Sequence, residues 1–196
     1  MNALLSEAQR DALQELMNIS MGQAANALAR LIETRITLSI PRIVAATPSE
    51  FAALLSQHEE NWFTRQSFMG KVNGEALTQL TKEGCEALAV AMDYDVPLSD
   101  ASRKELVLEL ANILAGACLT GFSEQLDLAT KLSMPTLYVP TVNSGEQVVE
   151  YFRWTSTLLL EVEFSVDASL FDSKVIICLE QRSVQTLLAS INELLE

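Results

Sequence analysis

Glu15-Leu16-Met17-Asn18-Ile19 recurs as Glu109-Leu110-Ala111-Asn112-Ile113, and the reading of this pair decides the fold. Each copy has an acidic residue four positions earlier, Asp11 or Glu105, and a glycine four positions after the Asn, Gly22 or Gly116. At about 100° per residue, positions i, i+4, i+7 and i+11 of a helix fall within roughly 60° of one another. Asp11, Glu15, Asn18 and Gly22 therefore form a narrow polar stripe, opposed by Leu13, Leu16, Met17, Ala24, Leu28 and Leu31 as the core-facing side. Glu105, Glu109, Asn112 and Gly116 repeat the stripe, set against Val107, Leu110, Leu114 and Cys118.

The two copies lie 94 residues apart (109 less 15), and the same offset carries Leu38-Ser39-Ile40-Pro41 onto Leu132-Ser133-Met134-Pro135. Two separate matches at one offset indicate an internal duplication, with too few copies and too long a period for a solenoid. The expectation is one α/β (α+β) domain spanning 1–196, built from pseudo-repeats of about 1–95 and 96–196. Two long motif helices would pack side by side on one face of a mixed, largely antiparallel sheet, leaving both stripes exposed.

Local signals fill in the order. Ser6-x-x-Gln9 is a capping box, so the first helix is predicted from Ser6 to about Glu33. Gly22 inside it costs about 1 kcal/mol relative to Ala, which suggests close approach by a crossing helix or a partner. Ile36, Leu38 and Ile40 alternate as a strand that Pro41 ends. A short helix capped by Ser49 is expected within 47–60, and Asn73-Gly74 marks a β-hairpin. A helix over 81–94 and a connector with Pro97 complete the first half. In the second, Ser102-Arg103-Lys104-Glu105 reads as another capping box, which would make Glu105 a cap residue. Residues 131–140, 147–154 and 157–166 are β-prone, 167–174 form a turn, 175–179 a buried strand, and 183–195 the closing helix.

The 196 residues, 49% hydrophobic, are enough for a substantial core. Thirteen basic against 26 acidic residues leave a formal charge of −13, which repels phosphate backbones and argues against nucleic-acid binding. No signal-peptide pattern opens the chain, and no apolar run approaches the roughly 20 residues of a membrane span, so a cytoplasmic protein is expected. Cys85, Cys118 and Cys178 are far apart among apolar neighbours and read as buried thiols in a reducing compartment.

The stripe lacks any nucleophile paired with a base. The single histidine, His58, lies in a polar Gln-His-Glu-Glu stretch, so Ser/His/Asp chemistry does not apply. Asp11/Glu15 and Glu105/Glu109 are i, i+4 carboxylate pairs, but Asn stands where di-iron bundles place His, and a neutral amide is a poor transition-metal ligand. No metal of the protein's own is expected. An amide can, however, hold a water in line with a phosphorus atom, which suffices where the phosphoryl group is already activated. A carboxylate one turn away could pair with a partner's lysine and set the register.

At these residues the sequence resembles the CheC/CheX/FliY phosphatases of bacterial chemotaxis. Their motif is Asp or Ser, three residues, Glu, two residues, Asn, and a downstream Pro. Asp11, Glu15, Asn18 and Pro41 match it in the first half; Glu109, Asn112 and Pro135 match it in the second, where Glu105 departs from the usual Asp or Ser. The two-copy arrangement looks most like CheC. The resemblance implies hydrolysis of the phospho-aspartate of a CheY-type response regulator, in chemotaxis or a related two-component pathway. Glu15 and Glu109 would contact the regulator's active-site lysine, and Asn18 and Asn112 would position the attacking water. Asp11, Gly22, Glu105 and Gly116 would face the partner, and the Mg²⁺ would belong to the regulator. Some relatives act through a CheD-like deamidase, so a non-catalytic binding module is the alternative. A FliY-like structural role ranks behind both, since nothing resembles an added C-terminal domain or N-terminal recruitment peptide.

Overall fold

The computed structural model describes residues 5–47, 49–51, 53, 61–138, 157–166 and 172–196. Helix α1 spans Glu7–Ile32, opened by the expected capping box: Gln9 N donates to Ser6 Oγ (3.2 Å) and Ser6 N donates to Gln9 Oε1 (2.9 Å). It stops where Glu33 turns left-handed (φ 52°). Two short strands follow, β1 (Ile36–Leu38) and β2 (Arg42–Ala46), then β3 (Trp62–Gly70), β4 (Gly74–Leu80) and helix α2 (Lys82–Ala91). The second half repeats this order with α3 (Asp100–Gln125), β5 (Thr130–Leu132), β6 (Thr136–Tyr138), β7 (Thr157–Val166), β8 (Asp172–Leu179) and α4 (Gln181–Leu195).

The eight strands form one sheet in the order β1-β7-β8-β4-β3-β5, with β2 also on β7 and β6 also on β3. Every described pairing is antiparallel. Exchanging the halves leaves this order unchanged, and each half lends its two short strands to the long outer strand of the other. The correspondence extends to single hydrogen bonds. Ser39 N donates to Glu163 O and Glu163 N to Ser39 Oγ, both at 3.0 Å; Ser133 N donates to Ser67 O (2.8 Å) and Ser67 N to Ser133 Oγ (2.9 Å). Ser67 and Glu163 are thus equivalent positions.

Helices α1 and α3 lie together on one face, and their apolar sides join the sheet in the main core through Leu13, Met17, Leu28, Leu110, Leu114, Phe68, Leu160, Phe164 and Ile177. Leu31, expected in that core, is 39% exposed. Cys118 of α3 lies against Met21 of α1, and Gln125 Nε2 donates to Leu16 O, so the helices run antiparallel. A smaller apolar cluster, including Phe51, Phe63, Leu77, Leu159 and Ile176, occupies the opposite face. There the charged ends pair: Arg65 with Glu75 (2.7 Å), and Lys174 with Glu161 (2.7 Å) and Glu163 (3.0 Å). All three cysteines are free and buried; burial pushes the Cys85 thiol up to about 11 and the other two higher still.

Several expectations change. The N-cap of α3 is Ser99, whose Oγ accepts from Ser102 N (3.1 Å); the helix starts before Ser102, so Glu105 caps nothing and stands on the open helix face. Thr47, with Glu50, forms the cap assigned to Ser49: Thr47 N donates to Glu50 Oε2 and Glu50 N to Thr47 Oγ1. The Asn73-Gly74 hairpin exists, but Gly74 has no positive φ; it sits in β4 where a Cβ would meet Cys178 O at 2.1 Å. The strand expected over 131–140 breaks at Ser133-Met134-Pro135, and β8 begins at Asp172. Ser183 is buried inside α4 and accepts from Asn73 N (2.8 Å). His58 and the 147–154 segment lie outside the described residues. By length and composition alone α3 could cross a membrane, but 56% of its most apolar stretch is buried within the protein, where the helix packs on α1 and the sheet.

Candidate functional site

Because the apolar sides of α1 and α3 are consumed by the core, their polar stripes face outward. Asp11, Glu15 and Asn18 are exposed, as are Glu105, Glu109 and Asn112; Gly22 and Gly116 are half-buried. Each stripe stands on a 26-residue helix packed along its length, so the groups are presented on a rigid element rather than a loop. Among the described residues, no three His, Cys, Asp or Glu side chains gather as a metal site.

The strand breaks bring a further pair of residues to each stripe. Gln14, beside Glu15, donates through Nε2 to Pro41 O (3.0 Å), tying the first break to α1. At the second stripe Gln66 of β3, from the first half, donates through Nε2 to Ser133 O (3.1 Å) and to Asn112 Oδ1 (3.4 Å), tying the second break to α3. Ile40 and Met134, which precede the two prolines, are 78% and 83% exposed. An exposed apolar side chain thus stands at the equivalent place in both repeats, beside each stripe. Sequence reasoning missed both; the Leu-Ser-x-Pro repeat held them, but an apolar letter does not reveal its exposure.

The two stripes differ in their surroundings. The side chains of Glu15 and Asn18 have no hydrogen-bond partner among the described residues, whereas Tyr94 Oη donates to Glu109 Oε2 (3.3 Å) and Asn112 meets Gln66. Burial, then the charges of Glu109 and Glu105, raise the Tyr94 phenol above its ordinary value. The glycines correct another expectation. Among the described residues, nothing lies within 4 Å of a Cβ added to Gly22, and Gly116 meets only Leu132 Cδ2 at 4.0 Å. The close helix approach falls instead at Gly121, where a Cβ would be 2.3 Å from Gln23 Oε1 and 3.1 Å from Ser20 Cα.

The CheC-like family model matches residues 9–44, which contain the first stripe and the first strand break. The fold is similar to that of FliY from Thermotoga maritima (18% identity, TM-score 0.72, 97% of this chain and 99% of that one). It is also similar to CheX–CheY–BeF3–Mg from Borrelia burgdorferi (15%, TM-score 0.57, 86% and 99%) and to the FliM middle domain from H. pylori (11%, TM-score 0.65, 95% and 99%). The resemblance to the CheC/CheX/FliY family therefore holds at two levels, a CheC-like segment around the first motif and the shared fold across the chain.

Proposed function

We propose that this protein accelerates hydrolysis of the phospho-aspartate of a CheY-type receiver domain, using two pseudo-equivalent sites. The observation that carries the reading is the duplicated, outward-facing Glu/Asn stripe on two rigid helices, each beside an exposed apolar residue. Ile40 or Met134 would seat in the receiver's surface, and Glu15 or Glu109 would pair with its lysine; charge-assisted pairing fixes orientation as well as affinity. Asn18 or Asn112 would then hold a water in line with the phosphorus. The water oxygen forms the new P–O bond, the bond to the aspartyl oxygen breaks, and inorganic phosphate and the free carboxylate result. The water's proton passes to phosphate or solvent, because the amide that holds the water cannot take it up and the Glu of each stripe is paired with the receiver's lysine. The Mg²⁺ that neutralises the phosphoryl oxygens belongs to the receiver. The complex of CheX, a protein of similar fold, with CheY supports the choice of partner.

The test is phosphate release from a receiver labelled with acetyl phosphate. Asn18→Ala and Asn112→Ala are each expected to lower the acceleration and the double variant to abolish it, with the circular dichroism spectrum unchanged. Full activity in the double variant would rule out the water-holding role. The likeness to the FliM middle domain and to a FliM–SpeE complex, both from H. pylori, supports a second reading as a docking module. Saturable binding of the phosphorylated receiver without faster phosphate loss would select it. A CheD-like deamidase is a further candidate partner, to be tested by direct binding.

A further inference from the structure

Resting on the phosphatase reading, we infer that Gln66 is a positioning residue for Asn112, and that it makes the second site the faster of the two. Gln66 is 1% exposed beneath α3, and its Oε1 has no hydrogen-bond partner among the described residues. An unpaired buried amide oxygen is costly, so a residue that keeps one on a core-facing strand position invites a reason. The other half shows what the fold alone asks for. Since Ser67 and Glu163 are equivalent, Gln66 corresponds to Val162, Thr64 to Leu160, and Phe68 to Phe164, a buried Phe in both halves. Two of these strand positions are thus apolar, Leu160 and Val162, where their counterparts Thr64 and Gln66 are polar.

Hydrogen-bond polarity orients the pair of amides. The Ser133 carbonyl can only accept, so the end of Gln66 that faces it, 3.1 Å away, is Nε2. The same nitrogen reaches Asn112, which must accept there through Oδ1 at 3.4 Å. Asn112 is thereby held with Oδ1 toward the sheet edge, one lone pair taken, and Nδ2 turned outward. A single amide orientation presents one remaining lone pair and two N–H groups to a water, where a free Asn would sample both flips. Asn18 has no such hold, and Glu109, unlike Glu15, is also held by Tyr94. Pre-orientation lowers the entropy to be lost when the water is placed.

The experiment uses the full chain and the acetyl-phosphate-labelled receiver, with Gln66→Leu, a substitution of similar volume, placed in two backgrounds. In Asn18→Ala only the second site acts, and Gln66→Leu should lower kcat about threefold to tenfold with KM little changed, the loss of one hydrogen bond. In Asn112→Ala only the first site acts, and the same substitution should leave kcat unaltered. No loss in the first background, or equal loss in both, overturns the inference. Side-chain amide NMR separates its failure from that of the phosphatase reading. Gln66→Leu should shift the Asn112 amide protons and leave those of Asn18 in place. If the wild-type protein releases no phosphate, the phosphatase reading falls, while an unmoved Asn112 signal refutes the hold whatever the activity.

Discussion

Glu109 and Tyr94 illustrate how one polar contact distinguishes two copies of the same motif. The Tyr94 phenol is raised by partial burial and by two carboxylates, Glu109 and Glu105, so its neutral form persists to higher pH in the folded protein than in the unfolded chain. The contribution to stability is present below the unfolded pKa and fades as pH rises through the folded one. Glu109→Gln removes one of the raising charges. Phenolate absorbance on alkaline titration should therefore show Tyr94 ionising at lower pH in the variant; an unmoved transition would mean that the two groups do not meet in solution. Residues of this kind were not legible beforehand. Tyr94 stands in the connector and Gln66 in an ordinary β-prone run, and only the fold brings them to Glu109 and Asn112.

At the scale of the element, α1 and α3 were largely readable because their periodic apolar sides are long and their polar stripes narrow. The start of α3 differs because two serines, Ser99 and Ser102, both offer a capping oxygen, and it is Ser99 whose Oγ accepts from the backbone N–H three residues on, that of Ser102 itself. Gly22 gives the prediction at this scale. With open space around it, Gly22→Ala should stabilise the protein by about 0.5–1 kcal/mol through helix propensity alone. For a chain of this size that raises Tm by about 1–4 °C, readable by calorimetry. If the receiver's backbone passes over this glycine, the same variant should raise KM for the phosphorylated receiver; unchanged KM would remove Gly22 from the docking surface.

For the whole molecule, the strand exchange is the governing feature. Among the described residues β1 and β2 pair only with β7, and β5 and β6 only with β3, so each half completes the sheet of the other. A chain cut within the connector at 95/96 should therefore yield halves that show no cooperative unfolding alone and assemble when coexpressed. Cooperative melting of an isolated half would show that the exchanged strands are dispensable. The antiparallel packing of α1 on α3 places the two stripes toward opposite ends of the helix pair, since the C-terminal part of α3 lies beside the N-terminal part of α1.

The sequence by itself determined the duplication, the two motif helices, the outward stripes and the β-hairpin, because each rests on local periodicity or on a repeat that a linear reading can count. Only the tertiary structure decided that the halves exchange strands, that Gly121 rather than Gly22 carries the close helix contact, and that Gln66 lies behind Asn112 while Val162 occupies the equivalent place. Those features depend on which distant segments meet, and the packing free energy that selects such meetings is written in no single stretch of the chain.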